Sequence, residues 1–123
     1  MKFAPNAIIL YVENIEKSSL FYQDLLGIKP EVASPSFHSF QLSNGMDLGL
    51  KAKHTVIPPA DEHVGVELAF TVANKQKVDE LFEQWQSKNI TLLLPLTVLP
   101  FGYTFVGLDP DGNRLRVVSL GNA

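Results

Sequence analysis

The side chains first weighed for moving protons or holding ions are three histidines (His38, His54 and His63), a glutamate at 67, and Arg114 with Arg116 in the run DPDGNRLRVVS. Cysteine is absent, which removes thiolate metal sites, cysteine nucleophiles and disulfides together. His54 and His63 fall in HTVIPPADEH, whose paired prolines and polar flanks read as a solvated linker. His38 sits in an alternating stretch, FHSFQLS, but a lone histidine without a carboxylate neighbour is a weak general base. Asp109 and Asp111 are candidate acids, yet within DPDG they are turn formers first, with side chains that bond local backbone. No Ser-His-Asp order is recognisable, and SNGMDLG and SLGNA lack the spacing and the following helix of a phosphate loop. No residue is assigned a catalytic role on these grounds.

The 123 residues, 46% hydrophobic and 19% charged, suit one soluble globular domain over 1–123. A net charge of -3 with ten scattered basic residues argues against a nucleic-acid partner, which needs clustered cations. The first apolar run, AIILYV, is too short for a signal-peptide core or a membrane span. A cytoplasmic protein without a membrane partner is expected.

AIILYV reads as a buried strand, and Asn14 behind it as the N-cap of a helix that Gly27 ends. Leu20, Phe21, Leu25 and Leu26 supply that helix with an apolar stripe. Strands near IKPEVA, FHSFQLS and MDLGLKA follow, the last two joined at Asn44-Gly45, a strong hairpin signal. The order then repeats: GVELAFTV, a helix capped by Asn74 and carrying Val78, Leu81, Phe82 and Trp85, then ITLLLP, YTFVGL and NRLRVVS. Both halves read βαβββ, as modules 5–53 and 64–119 with a linker over 54–63. Such duplicated units are expected to pair through a shared sheet. Trp85, beside Leu81 and Phe82, reads as core or as a subunit contact.

Strand alternation puts Ala7, Ile9 and Tyr11 on one face, and likewise Glu67/Ala69/Thr71 and Arg114/Arg116/Val118. The opposite faces, such as Ile8/Leu10/Val12 and Leu115/Val117, are apolar and suit packing under the helices. A two-residue turn at Asn44-Gly45 pairs Phe40 with Gly49 and His38 with Lys51, which places those four on one face. Tyr103, Phe105 and Gly107 alternate toward a single face as well.

Four stretches in order, YVENIEKSSLFYQDLLGI, NGMDLGL, VELAFTV and DPDGNRLRV, give a chain that resembles the glyoxalase, bleomycin-resistance and extradiol-dioxygenase group, the vicinal oxygen chelate superfamily. The resemblance covers essentially the whole chain. It implies an α+β fold in which two βαβββ modules form a curved mixed sheet around a cup. It also implies metal-ligand points at Ala7, Gly49, Glu67 and Arg116. Ala7 and Gly49 have no donor atom and Arg116 is a permanent cation, so only Glu67 could ligate, where such ions need three or four donors. No metal and no other cofactor is therefore expected. In the family arrangement Glu67 and Arg116 lie close enough to pair, either as a structural staple or as an anchor for a polar group of a ligand.

The leading expectation is a metal-free small-molecule-binding protein similar to the antibiotic-sequestering branch; Ala7, Gly49 and Arg116 at the metal-ligand positions lean against an enzyme and leave the question open. Its ligand would be a small amphipathic or aromatic compound in a cup lined by Tyr11, His38, Phe40, Glu67, Tyr103, Phe105 and Arg116. Aromatic stripes in small β-rich domains also serve as plain core, and both readings stand for these side chains. The resemblance further implies a homodimer. The alternative is a glyoxalase-type lyase or isomerase acting on a small carbonyl or thiol-adduct substrate, with His38 as base or with Glu67 recruiting a metal. A third reading is an interaction module whose cup is filled.

Overall fold

The apolar run Ala7–Val12 forms the first strand, β1, and Asn14 sets the start of the helix after it. In the computed structural model this asparagine is extended (φ -128°), and its Oδ1 accepts the Lys17 N–H at 3.0 Å, capping helix α1, Ile15–Leu26. Gly27 closes the helix in the left-handed conformation (φ 70°), where its N–H donates to the Gln23 carbonyl at 2.9 Å. The structure describes residues 6–57, 59–60 and 66–121; His63 lies outside them.

Three strands follow, β2 (Glu31–Ser34), β3 (Phe37–Gln41) and β4 (Asp47–Ala52), and then a 3₁₀ turn, Lys53–Thr55, that carries the exposed His54. The second half repeats the order with β5 (Glu67–Thr71), α2 (Lys75–Ser87), β6 (Leu92–Leu99), β7 (Gly102–Leu108) and β8 (Arg114–Leu120). Asn74 caps α2 by accepting the Lys77 N–H at 3.0 Å. Strand β6 runs through Pro95, which an edge strand tolerates because the missing N–H is not needed there; its pairing with β7 shifts register on both sides of that residue.

Hydrogen bonding groups the strands as two mixed four-stranded sheets, β1-β4-β3-β2 and β5-β8-β7-β6. In each, the first and last strands of the module run parallel and the other pairings are antiparallel. The chain divides into two compact units at the 64/65 boundary. The fold is thus α+β and built from two βαβββ modules.

Behind each sheet lies a helix. Helix α1 buries Ile15, Ser18, Ser19 and Tyr22, whereas Leu20 is 66% exposed. The buried stripe is therefore rotated from the expected set of leucines, because small serines are used where the helix meets its sheet. Tyr22 lies 6.4 Å from the Phe40 ring, and Ser19 Oγ is 2.9 Å from His38 Nδ1. Helix α2 buries Val78 and Trp85 as its pattern predicts. Trp85 meets Phe105 edge-on at 5.1 Å and Phe70 at 6.1 Å, and Phe82 meets Phe105 at 5.2 Å, an aromatic core in the favoured T-shaped geometry.

Candidate functional site

The charged chemistry of the second unit is set by the register of its parallel strands. Glu67 opens β5 opposite Arg114, and Arg116 sits opposite Ala69, whose small side chain leaves room for a diagonal contact. Arg116 Nε lies 3.3 Å from Glu67 Oε1. Its Nη1 donates to Thr104 Oγ1 at 3.2 Å, and that hydroxyl donates in turn to the Val117 carbonyl at 2.7 Å. The guanidinium carbon is 5.4 Å from the centroid of Phe101, a cation–π contact.

Three contacts thus fix one planar cation. Arg116 is 17% exposed and Glu67 41%, so water screens the attraction, and the pair contributes on the order of 1 kcal/mol net. Around it Thr104, Val106 and Val118 are nearly inaccessible, while Phe101 is 45% exposed. The surface is a dense apolar floor with one oriented guanidinium and one accessible ring.

The corresponding face of the first unit has no such pair. There Ala7, Ile9 and Tyr11 lie on the side of β1 away from α1, with Ile9 and Tyr11 well exposed. Gly49 stands opposite Ile9 in β4, and a Cβ placed on it would come within 2.9 Å of the Phe37 ring and 3.3 Å of Ile9 Cγ1. Phe37 therefore covers the space that a side chain at 49 would fill.

Two sequence expectations about faces are corrected here. His38 and Phe40 lie on the α1 side of their sheet, with Phe40 wholly buried and His38 8% exposed. The cause is the turn. Leu42 N–H donates to the Met46 carbonyl at 2.8 Å and Gly45 N–H to the Leu42 carbonyl at 3.1 Å, enclosing three residues, with Gly45 at φ 89°. One residue more than a two-residue turn moves the pairing to Ser39↔Gly49 and Phe37↔Lys51, and every side chain of β3 changes face. Phe37 takes the place expected for Phe40.

Tyr103 and Phe105 share a face as expected, but it is the one that α2 covers. The five residues Asp109–Asn113 between β7 and β8 pair Leu108 with Arg114 and hence Val106 with Arg116. Thr104 and Val106 therefore share the face of Arg116, and Phe105 packs under Phe82 and Trp85. Tyr103 donates its hydroxyl to Asp79 Oδ1 on α2 at 2.7 Å. That hydrogen bond raises the phenol pKa, with smaller contributions from burial and from the charge of Asp79. Asp109 is a turn former as read: its carboxylate accepts from Asp111 N, Asn113 N and Asn113 Nδ2 at 2.8–2.9 Å.

Of the seven residues expected to line a cup, Tyr11, Glu67 and Arg116 occupy faces that the helices leave open. The other four do not. Phe37, Thr104 and Phe101 were missed. Counting the hairpin as three residues, with Gly45 as its bulge, finds the first, and pairing Leu108 across the DPDGN loop finds the second. Phe101 lies in a turn that no periodicity marks.

The residues at the family's metal-ligand points decide whether an ion could be held. Ala7 and Gly49 present no donor, Glu67 is engaged by a guanidinium, and among the described residues no three His, Asp or Glu side chains gather as an ion requires. These residues do not fit a bound metal.

The strand order and pairing within each βαβββ unit are those of one family. The chain belongs to the Glyoxalase/Bleomycin resistance protein/Dioxygenase superfamily, whose model matches residues 4–117. It is 31% identical over 120 residues to the phenazine antibiotic resistance protein EhpR of Enterobacter agglomerans, covering 94% of this chain and 92% of that protein. It is 32% identical over 120 residues to the trivalent organoarsenical cleaving enzyme of Bacillus sp. (strain MD1), covering 93% and 70% respectively. The solution NMR structure of protein ATC0852 from Agrobacterium tumefaciens matches with a TM-score of 0.89 at 44% identity, covering 98% of this chain and 100% of that one. No helix among the described residues is long and apolar enough to cross a membrane.

Proposed function

We propose that this protein binds a planar or amphipathic small molecule and holds it without chemical change, as a resistance protein acting by sequestration in the cytoplasm. The observation that carries the reading is the Glu67–Arg116 pair at 3.3 Å, which stands at points where the family resemblance places metal ligands. The similarity to a phenazine resistance protein supports it. Holding a guest needs stacking surface and a few polar anchors, and Phe101 with Arg116 in one unit and Tyr11 with Phe37 in the other supply those types. A homodimer is part of this reading and is checked by light scattering.

A thermal-shift panel of phenazines and other planar aromatics tests it. A ligand that binds only the folded state stabilises it by about 2.7 kcal/mol at a hundredfold excess over Kd, so a bound guest raises Tm and is recovered unmodified. A flat response across the panel overturns the reading.

The second reading is an enzyme, favoured by the similarity to an organoarsenical cleaving enzyme. Trivalent arsenic is soft and thiophilic, and this chain has no cysteine with which to capture it. His38, the base considered for metal-free isomerisation, is buried against Ser19. Turnover of a hemithioacetal or an organoarsenical by the purified protein would establish this second reading in place of the first.

A further inference from the structure

Resting on that binding function, we propose that the open face of the second sheet selects planar aromatic guests that carry an anionic group, above all a carboxylate, with Arg116 as the specificity-determining residue and Arg114 as its auxiliary. A guanidinium has five N–H donors. In Arg116 one N–H, on Nη1, donates to Thr104, Nε lies 3.3 Å from Glu67 as an ion pair, and both N–H groups of Nη2 have no partner among the described residues. Glu67, Thr104 and Phe101 hold the plane of the group, so little side-chain freedom is lost when a further acceptor arrives. A carboxylate can take two parallel N–H bonds from such a fork, whereas a neutral amide oxygen offers a weaker acceptor.

The charge balance of the face points the same way. Strands β5 and β8 present Glu67, Arg114 and Arg116 there, and β6 (LLLPLTVL) has no charged residue. Two cations against one carboxylate leave one positive charge. This runs against the net charge of -3 of the whole chain, so it is a local arrangement and not a reflection of composition. Arg114 is exposed and forms no ion pair among the described residues. A cationic guest would have to take Glu67 from Arg116 while facing a second arginine. Phe101, 45% exposed and adjacent to the guanidinium, gives the ring system of the guest a stacking surface beside its acid group.

The experiment compares phenazine-1-carboxylic acid with its carboxamide, which has the same rings and nearly the same shape but no charge, by titration calorimetry. The acid should bind about tenfold more tightly, with an affinity that falls as salt is raised while that of the amide does not. In Arg116→Gln the preference should vanish with amide binding retained, and in Arg114→Gln it should fall about threefold. Arg114 is exposed and forms no ion pair among the described residues, so its variant is expected to fold normally and keeps the test decisive should Arg116→Gln be unstable. Equal binding of acid and amide by the unmodified protein overturns the anion preference and leaves the binding function standing. An acid preference that survives in both variants removes these arginines from the account. If neither compound nor any other planar aromatic binds, the binding function fails, and the selectivity with it.

Discussion

Gly49 and Arg116 hold the same place in their respective sheets. Each lies on the strand parallel to the first strand of its module, opposite Ile9 and Ala69 respectively. Across the next strand the correspondence continues, since Phe37 pairs opposite Lys51 as Thr104 does opposite Val118. The first unit sets a missing side chain beside a large ring; the second sets a long cation beside a small hydroxyl. Bulk is conserved across each pair of neighbours while its polarity is reversed. One backbone repeat can thus carry a neutral surface and an ionic one, and the choice lies in two positions per unit. Behind the sheets the units differ less, for both bury aromatic residues against their helix.

The sharpest test of that division is Phe40→Ala and Phe105→Ala. Both side chains are wholly buried behind their sheets, and each substitution should cost about 3–5 kcal/mol in urea unfolding while guest affinity in the folded fraction is unchanged. Loss of affinity without loss of stability would move them to the open faces and break the distinction.

A smaller effect is expected at Gly49→Ala, where the new methyl meets Phe37 and Ile9. It should destabilise by about 1–2 kcal/mol. Adding Phe37→Ala should recover part of that loss, so that a double-mutant cycle is non-additive. Strict additivity would mean that the ring does not cover the glycine.

Least in size is an effect behind the second sheet. The Tyr103 pKa is raised above its ordinary 10.0, so the stabilisation conferred by the bond to Asp79 is fully present below that pH and is lost as pH rises through the folded-state value. Asp79→Asn should lower the midpoint of phenolate absorbance and shrink the Tyr103 share of the alkaline loss of stability. An unchanged midpoint would remove Asp79 as the cause.

Much of this was legible in the chain itself. Asn14, Gly27 and Asn74 mark helix ends because their side chains or conformational freedom satisfy specific backbone groups, and those groups depend only on local sequence. Alternation separated the helix-covered faces of β1, β5 and β8 from their open faces for a similar reason. What escaped was register. Asn44-Gly45 announces a hairpin but leaves its length between two and three residues, and that single residue decides which face His38, Phe40 and Phe37 occupy. The end of α2 was equally silent: the chain turns there through Asn89, at φ 59°, and not through a glycine.

Trp85 is the only tryptophan of the chain, and its ring partners, Phe70 and Phe105, both belong to the second unit. Intrinsic fluorescence is consequently a label-free signal from that half of the repeat, while far-ultraviolet dichroism averages over both helices. Coincidence or separation of the two optical transitions during denaturation reads out directly whether the two βαβββ units melt as one cooperative body or in succession.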